Sequence, residues 1–277
     1  MSESQQFNQS FYEEHIWGSV EISFRRKGID TLKLERLVEA LPDWQNVRCL
    51  EVGCGAGRYL RALERILPRS VHLAGCDIST ASIDLAKRAL GNIEYRLQQP
   101  DRIPWQDGAF DVVCFLDVLE HIENPKPFLI ESLRVLKVGG ILHASVPLEG
   151  DRRSLWHWFD FIGLHDKTKR VDGQIQRFTG KGLKQLFLSL PLEIEQEFYS
   201  YHVVGNVLDL TLFTMLNVRR TLGFKGSHYD IVRSSRESND SFMSAMLTLV
   251  ESLMYIEGRV FGNCPGPNAH FTLRKLS

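Results

Sequence analysis

The sequence of 277 residues predicts an α/β fold, a mostly parallel sheet covered on both faces by helices. Three observations lead there. Apolar strand-like runs alternate with segments of helical period from about residue 30 onward. The run Glu51-Val52-Gly53-Cys54-Gly55-Ala56-Gly57 closes one such strand and opens a helix, with glycines where the backbone must turn tightly. About twenty residues beyond its last glycine a second strand ends in an acid, Gly75-Cys76-Asp77.

Taken in order, Asp30 is expected to cap a helix whose Leu34, Leu37, Val38 and Leu41 share a face before Pro42 stops it. Strand one is Val47–Val52, and its helix runs Tyr59–Leu67 with Leu60, Leu63 and Leu67 inward. His72–Cys76 is strand two. Ser79 caps the next helix, which places Ile83, Ala86 and Leu90 at helical spacing. Ile93–Leu97 and Val112–Leu116 are strands three and four. A helix over Phe128–Leu136 is expected to end at Lys137-Val138-Gly139-Gly140, a cationic last turn with a glycine cap. Ile141–Val146 is strand five, ended by Pro147. Lys181–Leu188 reads as a helix, Glu193–Tyr199 as strand six and Ala269–Arg274 as strand seven.

Between the last two strands lie far too many residues for a hairpin. They read as two helices, near Val203–Arg219 and Asp240–Arg259, around a polar loop. Phe242, Met246, Leu249, Leu253 and Ile256 form a stripe on the second, of the kind that packs on a core. The expected organisation is an N-terminal segment (1–29), a core domain (30–200 and 266–277) and a helical insertion (201–265).

Hydrophobic content of 43% and charged content of 24% are ordinary for a globular enzyme. A net charge of −1 supplies no basic field for nucleic acid. The five cysteines lack C-x-x-C spacing, which points to reduced thiols in a cytoplasmic chain and to no zinc site. Met1–Ser10 lacks the order of a signal peptide, and no stretch has the length to cross a bilayer. The apolar Val203–Leu216 stretch, broken by Asn206 and Asp209, leaves open a peripheral membrane contact or a homodimer.

The glycine run and Asp77 together make a pocket for an adenosine-type cofactor without a phosphate to cradle. Asp77 is placed to accept from two ribose hydroxyls. Glu51 would repel a pyrophosphate but suits a ligand carrying an ammonium group. A dinucleotide site would place its third glycine at Arg58.

This run resembles motif I, E/D-x-G-x-G-x-G, of the class I S-adenosylmethionine (SAM) dependent methyltransferases. The resemblance continues in Ile103-Pro104-Trp105-Gln106-Asp107-Gly108-Ala109-Phe110-Asp111, in Phe115-Leu116-Asp117-Val118-Leu119-Glu120-His121-Ile122 and in Leu136-Lys137-Val138-Gly139-Gly140. It covers about residues 48–147 and is similar in particular to a subgroup that includes ubiquinone-biosynthesis methyltransferases. It implies a Rossmann-like seven-stranded sheet with an antiparallel last strand, SAM as cofactor, and a small or lipid-linked acceptor. It further implies that Glu51, Gly53, Gly55 and Gly57 lie along the methionine end of SAM. Asp117 and Val118 border the same moiety, and Leu119 approaches the reacting methyl. The adenine would lie between Ile78 and the loop after strand three, where Gln99 stands in place of the family's Asp and Trp105 in place of its Phe. The N-terminal stretch with Tyr12, His15 and Trp17 would fold over the cofactor.

Methyl transfer to oxygen also needs a proton acceptor, and His121 follows strand four at the carboxyl edge of the sheet. His157 and His165 follow strand five, as do Arg152 and Arg153, whose fork suits an acidic group. The substrate set is therefore His15, Trp17, Arg152 and His157, with His121 as base and no metal. The function expected is oxygen methylation of a partly apolar metabolite. Nitrogen methylation and SAM binding without transfer remain as alternatives.

Overall fold

The structure, a computed structural model, describes residues 13, 16–18, 21–22, 24, 27–41, 43–161, 174–208, 211 and 241–277. Seven strands form one sheet in the order β3-β2-β1-β4-β5-β7-β6. They are β1 (Arg48–Val52), β2 (His72–Asp77), β3 (Glu94–Leu97), β4 (Phe110–Leu116), β5 (Leu136–Pro147), β6 (Leu192–Ser200) and β7 (Asn268–Lys275). β7 runs antiparallel to both β5 and β6, while the other pairings are parallel. The helices are α1 (Ile29–Glu39), α2 (Arg58–Ile66), α3 (Thr80–Arg88), α4 (Pro125–Val135), α5 (Leu155–Phe161), α6 (Gly180–Leu188) and α7 (Ser241–Val260).

The central strands β1 and β4 are apolar on both faces because both are covered. In β1 the side chains alternate: Leu50 and Val52 enter the cluster with Phe115, Leu129, Phe187 and Phe271, while Cys49 enters the one with Leu34, Leu37, Leu60 and Ile83. The chain reverses direction across the sheet at β1 and β4, so their carboxyl ends open a crevice, which is where open α/β sheets bind ligands.

Ser79 caps α3 as expected, its hydroxyl accepting from Ser82 N at 3.1 Å. Four local expectations change. Gly28, not Asp30, is the N-cap of α1; Asp30 lies in the first turn and accepts from Tyr59 Oη at 2.7 Å and Arg58 at 3.2 Å. Leu90 is 98% exposed, because α3 ends at Arg88 before the inward face returns. α4 passes into β5 at Leu136 without a glycine cap. Lys137, Val138 and Gly139 instead form an exposed excursion where the β4–β5 register shifts, with Gly139 at φ +77°. On α7 the described part of the expected stripe does not face the core: Leu249, Leu253 and Ile256 are exposed, and Met254 packs inward near Gly258, which lies against Leu32. The side chains of Phe242 and Met246 lie outside those described. Tyr255 and Arg259 bond Glu35 and Glu39 of α1 at 2.7 Å each, so α7 is held to α1 largely by polar contacts.

Candidate active site

The carboxyl ends of β1, β2, β4 and β5 open on a cavity of about 710 Å³. Its floor is the glycine loop. Gly53 N and Cys54 N donate to Cys76 O at 2.8 and 3.0 Å, which fastens the loop to β2. Gly53 has φ +75°, and a Cβ there would come within 2.6 Å of Val118 Cγ2. Gly55 has φ +52°, and a Cβ there would meet Trp17 O at 2.6 Å. Both positions need glycine for the backbone conformation and for the close approach.

Two acids cross this floor. Asp77 accepts from Gly55 N at 2.8 Å and Ser79 N at 2.9 Å. Burial raises its pKa despite those bonds. Glu51 is 2% exposed, and its Oε2 has no hydrogen-bond partner among the described residues. Burial, with Asp77 adding to it, pushes the Glu51 carboxyl up to about 8 against the opposing charges of Arg58 and Arg61.

At the end of β4 Asp117 takes a left-handed conformation, φ +57°. Its carboxylate accepts from Ser145 Oγ at 3.2 Å and pairs with Lys33, a buried lysine of α1. The turn Leu119–His121 follows. Glu120 is 1% exposed, and its backbone oxygen accepts from Ile175 N and Gln176 N at 3.0 and 2.9 Å. His121 Nε2 stands 3.9 Å from Glu120 Oε1. Burial first, then the nearby Asp117, raises the Glu120 carboxyl well above the usual range.

The segment before α1 joins this wall. Trp17 O accepts from Ala56 N at 2.8 Å, and Arg61 bonds Ala56 O, Gly18 O (3.2 Å) and Glu21 (2.5 Å). Glu13 accepts from Thr80 N and Ala81 N at 2.7 and 3.0 Å at the start of α3.

Of the residues expected from sequence, Glu51, Gly53, Gly55, Asp77, Ile78, Asp117, Val118, His121 and Trp17 line the cavity. Gly57 does not: at φ +80° it opens α2 and packs on the Tyr95 hydroxyl below the loop. Gln99 is exposed and bridged to Arg102, and its neighbour Gln98 lines the wall instead. Gln98 Oε1 accepts from Cys76 Sγ at 3.1 Å. Leu119 and Trp105 are core residues, the latter edge-on to Phe110 at 5.3 Å. Arg152 is exposed, and His157 packs edge-on against Trp158; neither lines the cavity, because Ser154 and Trp156 are the residues of this segment that turn inward. Arg153 pairs with Asp151 at 3.0 Å. His15, Tyr12 and His165 lie outside the described residues.

Lys33, Glu120, Glu149, Tyr201 and Asn206 line the cavity without having been anticipated. Only Lys33 carried a sequence signal: it lies one helical turn before Leu37 on the buried face of α1, an odd place for a charge.

An open sheet of this order, with a glycine loop and acids at the tips of β1 and β2, defines a class I SAM-dependent methyltransferase fold. Residues 50–144 match the family model described as a methyltransferase domain. A ubiquinone biosynthesis O-methyltransferase of Maricaulis maris is 35% identical over 105 residues, 36% of this chain and 40% of that protein. The corresponding protein of Parvibaculum lavamentivorans is 30% identical over 105 residues, 37% and 41% of the two chains. The chain thus spans about two-fifths of the length of these curated relatives. Among solved structures, the [4+2]-cyclase SpnF has TM-score 0.59 at 16% identity, covering 98% of this chain and 94% of its own. A geranyl diphosphate C-methyltransferase from Streptomyces coelicolor A3(2), solved with Mg2+, geranyl diphosphate and S-adenosyl-L-homocysteine (SAH), has TM-score 0.59 at 12% identity, covering 99% and 98%. These likenesses show the fold. SAM is the cofactor of the class, and the cavity fits it: Glu51 offers an unsatisfied buried oxygen for an ammonium, and the Asp77 carboxyl lines the same space. Among the described residues no helix is long and apolar enough to cross a membrane.

Proposed function

We propose that this chain transfers the methyl group of SAM to an oxygen of a small, partly apolar acceptor. The observation that carries the reading is the single cavity in which the orphaned Glu51 oxygen, Asp77 and His121 are all exposed to one ligand space. SAM, when bound, supplies an electrophilic methyl on a sulfonium centre. Glu51 would hold the ammonium and Asp77 the ribose hydroxyls, while Val118 and Gly53 would confine the chain between them. In-line displacement asks the protein mainly to position the two reactants. His121, which lines the cavity, would take the acceptor's hydroxyl proton at Nε2. The relatives named for O-methylation support oxygen as the atom. The apolar rings of Phe128, Trp156 and Tyr201 support an acceptor with apolar surface. The segment before α1 acts in this reading as a cover for the cofactor, and residues 201–265 as the roof over the acceptor.

The test is calorimetric titration with SAM and SAH, followed by a methyl-transfer screen on apolar phenols. Asp77→Ala is expected to weaken both ligands by about tenfold to a hundredfold, the worth of charge-assisted hydrogen bonds. Folded protein that binds neither ligand would end the methyltransferase reading. Tight binding without transfer to any phenol would turn it toward a SAM-binding protein that is not an enzyme.

A further inference from the structure

Across the cavity from the glycine loop, the wall is acidic beyond what the cofactor needs. Glu51, Asp77 and Asp117 are accounted for above. Glu120 is not: it lines the cavity, is 1% exposed, and neither carboxyl oxygen has a hydrogen-bond partner among the described residues. Among the nearest charged side chains only Lys33 favours a negative charge there, and burial and the nearby acids outweigh it. Asp117 and Glu149 are both close enough to disfavour a second negative charge, and His121 Nε2 is 3.9 Å away, too far for a hydrogen bond. The lysine of this wall, Lys33, is committed to Asp117. Arg58, on the cofactor side, is committed to Asp30 at 3.2 Å. Burying a carboxyl without a partner is costly, and a ligand that brings a compensating charge removes that cost.

We propose that the acceptor carries a basic amino group, bound as an ammonium ion by Glu120, and that acceptors bearing a carboxylate or phosphate at this place are rejected. This rests on the methyltransferase reading, and it names the substrate class of the same site. The ammonium is the handle and not the reacting atom, because a protonated amine has no lone pair to attack the methyl. The hydroxyl that reacts is carried elsewhere on the same molecule, within reach of His121. An inorganic cation is the competing occupant, and the test below separates it from the amine. Glu149, which faces the charge of Arg177, contributes to the negative field without being the primary partner.

Three probes of one size and different charge test this: phenethylamine, 2-phenylethanol and phenylacetate. Each is titrated calorimetrically into the full chain saturated with SAH, in buffer containing EDTA. Phenethylamine is expected to bind at least about tenfold more tightly than 2-phenylethanol, with phenylacetate weakest. Glu120→Gln is expected to reduce that margin to about threefold or less, with SAH binding by the variant certifying its fold. Equal binding of amine and alcohol, tighter binding of phenylacetate, or binding of none of the three overturns the proposal. So does Mg2+, added without EDTA, if it binds in a Glu120-dependent way and displaces the amine. Because the ranking is measured on the unaltered chain, a misfolded variant does not shelter the idea. Loss of SAH binding by the unaltered chain would instead strike the methyltransferase reading itself.

Discussion

Glu51 lies at the tip of β1 with a carboxyl that burial pushes up to about 8, so near neutral pH much of it carries a proton. An ammonium ligand requires the carboxylate, and binding must therefore expel that proton. The apparent affinity for SAM is expected to rise with pH by about tenfold per unit from pH 6 and to level off above about 8. Titrations in buffers of different ionisation heat would show about one proton released at pH 7. An affinity flat from pH 6 to 9 would refute the pairing, and Glu51→Gln should be flat by construction. At this scale the sequence was informative where chemistry is local. Glu51 and Asp77 are acids that end apolar strands beside a glycine loop, a pattern visible without a fold. Gln99 is exposed and Gln98 lines the cavity, because side chains along an extended segment change face at each step, which sequence alone does not phase. Glu120 could not be singled out, since its isolation depends on which distant residues bury it.

Arg61 shows what an element-level contact can do that a residue list cannot. It lies on α2 yet reaches the glycine loop at Ala56 and the segment before α1 at Gly18 and Glu21, so one guanidinium joins three stretches of chain. Arg61→Ala is expected to cost about 2–4 kcal/mol, as several buried hydrogen bonds to one charged group are lost, and to weaken SAH binding as well. Glu21→Gln should cost less than about 1 kcal/mol, because the Glu21 side chain is 46% exposed and water screens the pair. Urea denaturation of both variants decides; equal losses would mean that the ion pair alone matters. Helix existence was readable from apolar spacing, and Ser79 announced its cap. The orientation of α7 was not. Its Leu249–Leu253–Ile256 stripe has the right period, but period does not say which face meets the core, and the polar Tyr255–Glu35 and Arg259–Glu39 contacts decide it.

Over the whole molecule, two histidines buried between β5, β7 and α1 tie stability to pH. His143 stands 3.3 Å from Thr272 Oγ1, and His270 bonds Ser200 Oγ at 2.9 Å. Burial, then the charge of Arg36, lowers the His143 pKa to about 3. Burial, then His143, Lys33 and Arg36, lowers His270. A depressed histidine stays neutral in the fold while the unfolded chain takes up protons, so its cost grows as pH falls from about 6.5 toward about 3. His143 contributes a slope of up to about 1.4 kcal/mol per pH unit in that window. His143→Gln should therefore lose stability less steeply than the parent between pH 6 and 4; parallel curves by urea denaturation would contradict the assignment. At this scale the prediction from sequence was most complete. All seven strands overlap the stretches expected for them. The central β1 and β4 are apolar nearly throughout because both faces are covered, while the edge strands β3 and β6 carry charged residues on exposed positions. The antiparallel sense of β7 followed from the family resemblance and not from any local pattern.

The exposed Lys137–Gly139 excursion lies at the start of β5, whereas the cavity opens at the opposite, carboxyl end of that strand, where Pro147 lines it. Val138 is 66% exposed, and the register shift already absorbs extra length there. A short affinity tag or fluorophore loop grafted between Val138 and Gly139 would thus anchor the molecule by its closed end. Immobilised that way on a sensor chip, every copy would present its ligand entrance to the flowing solution.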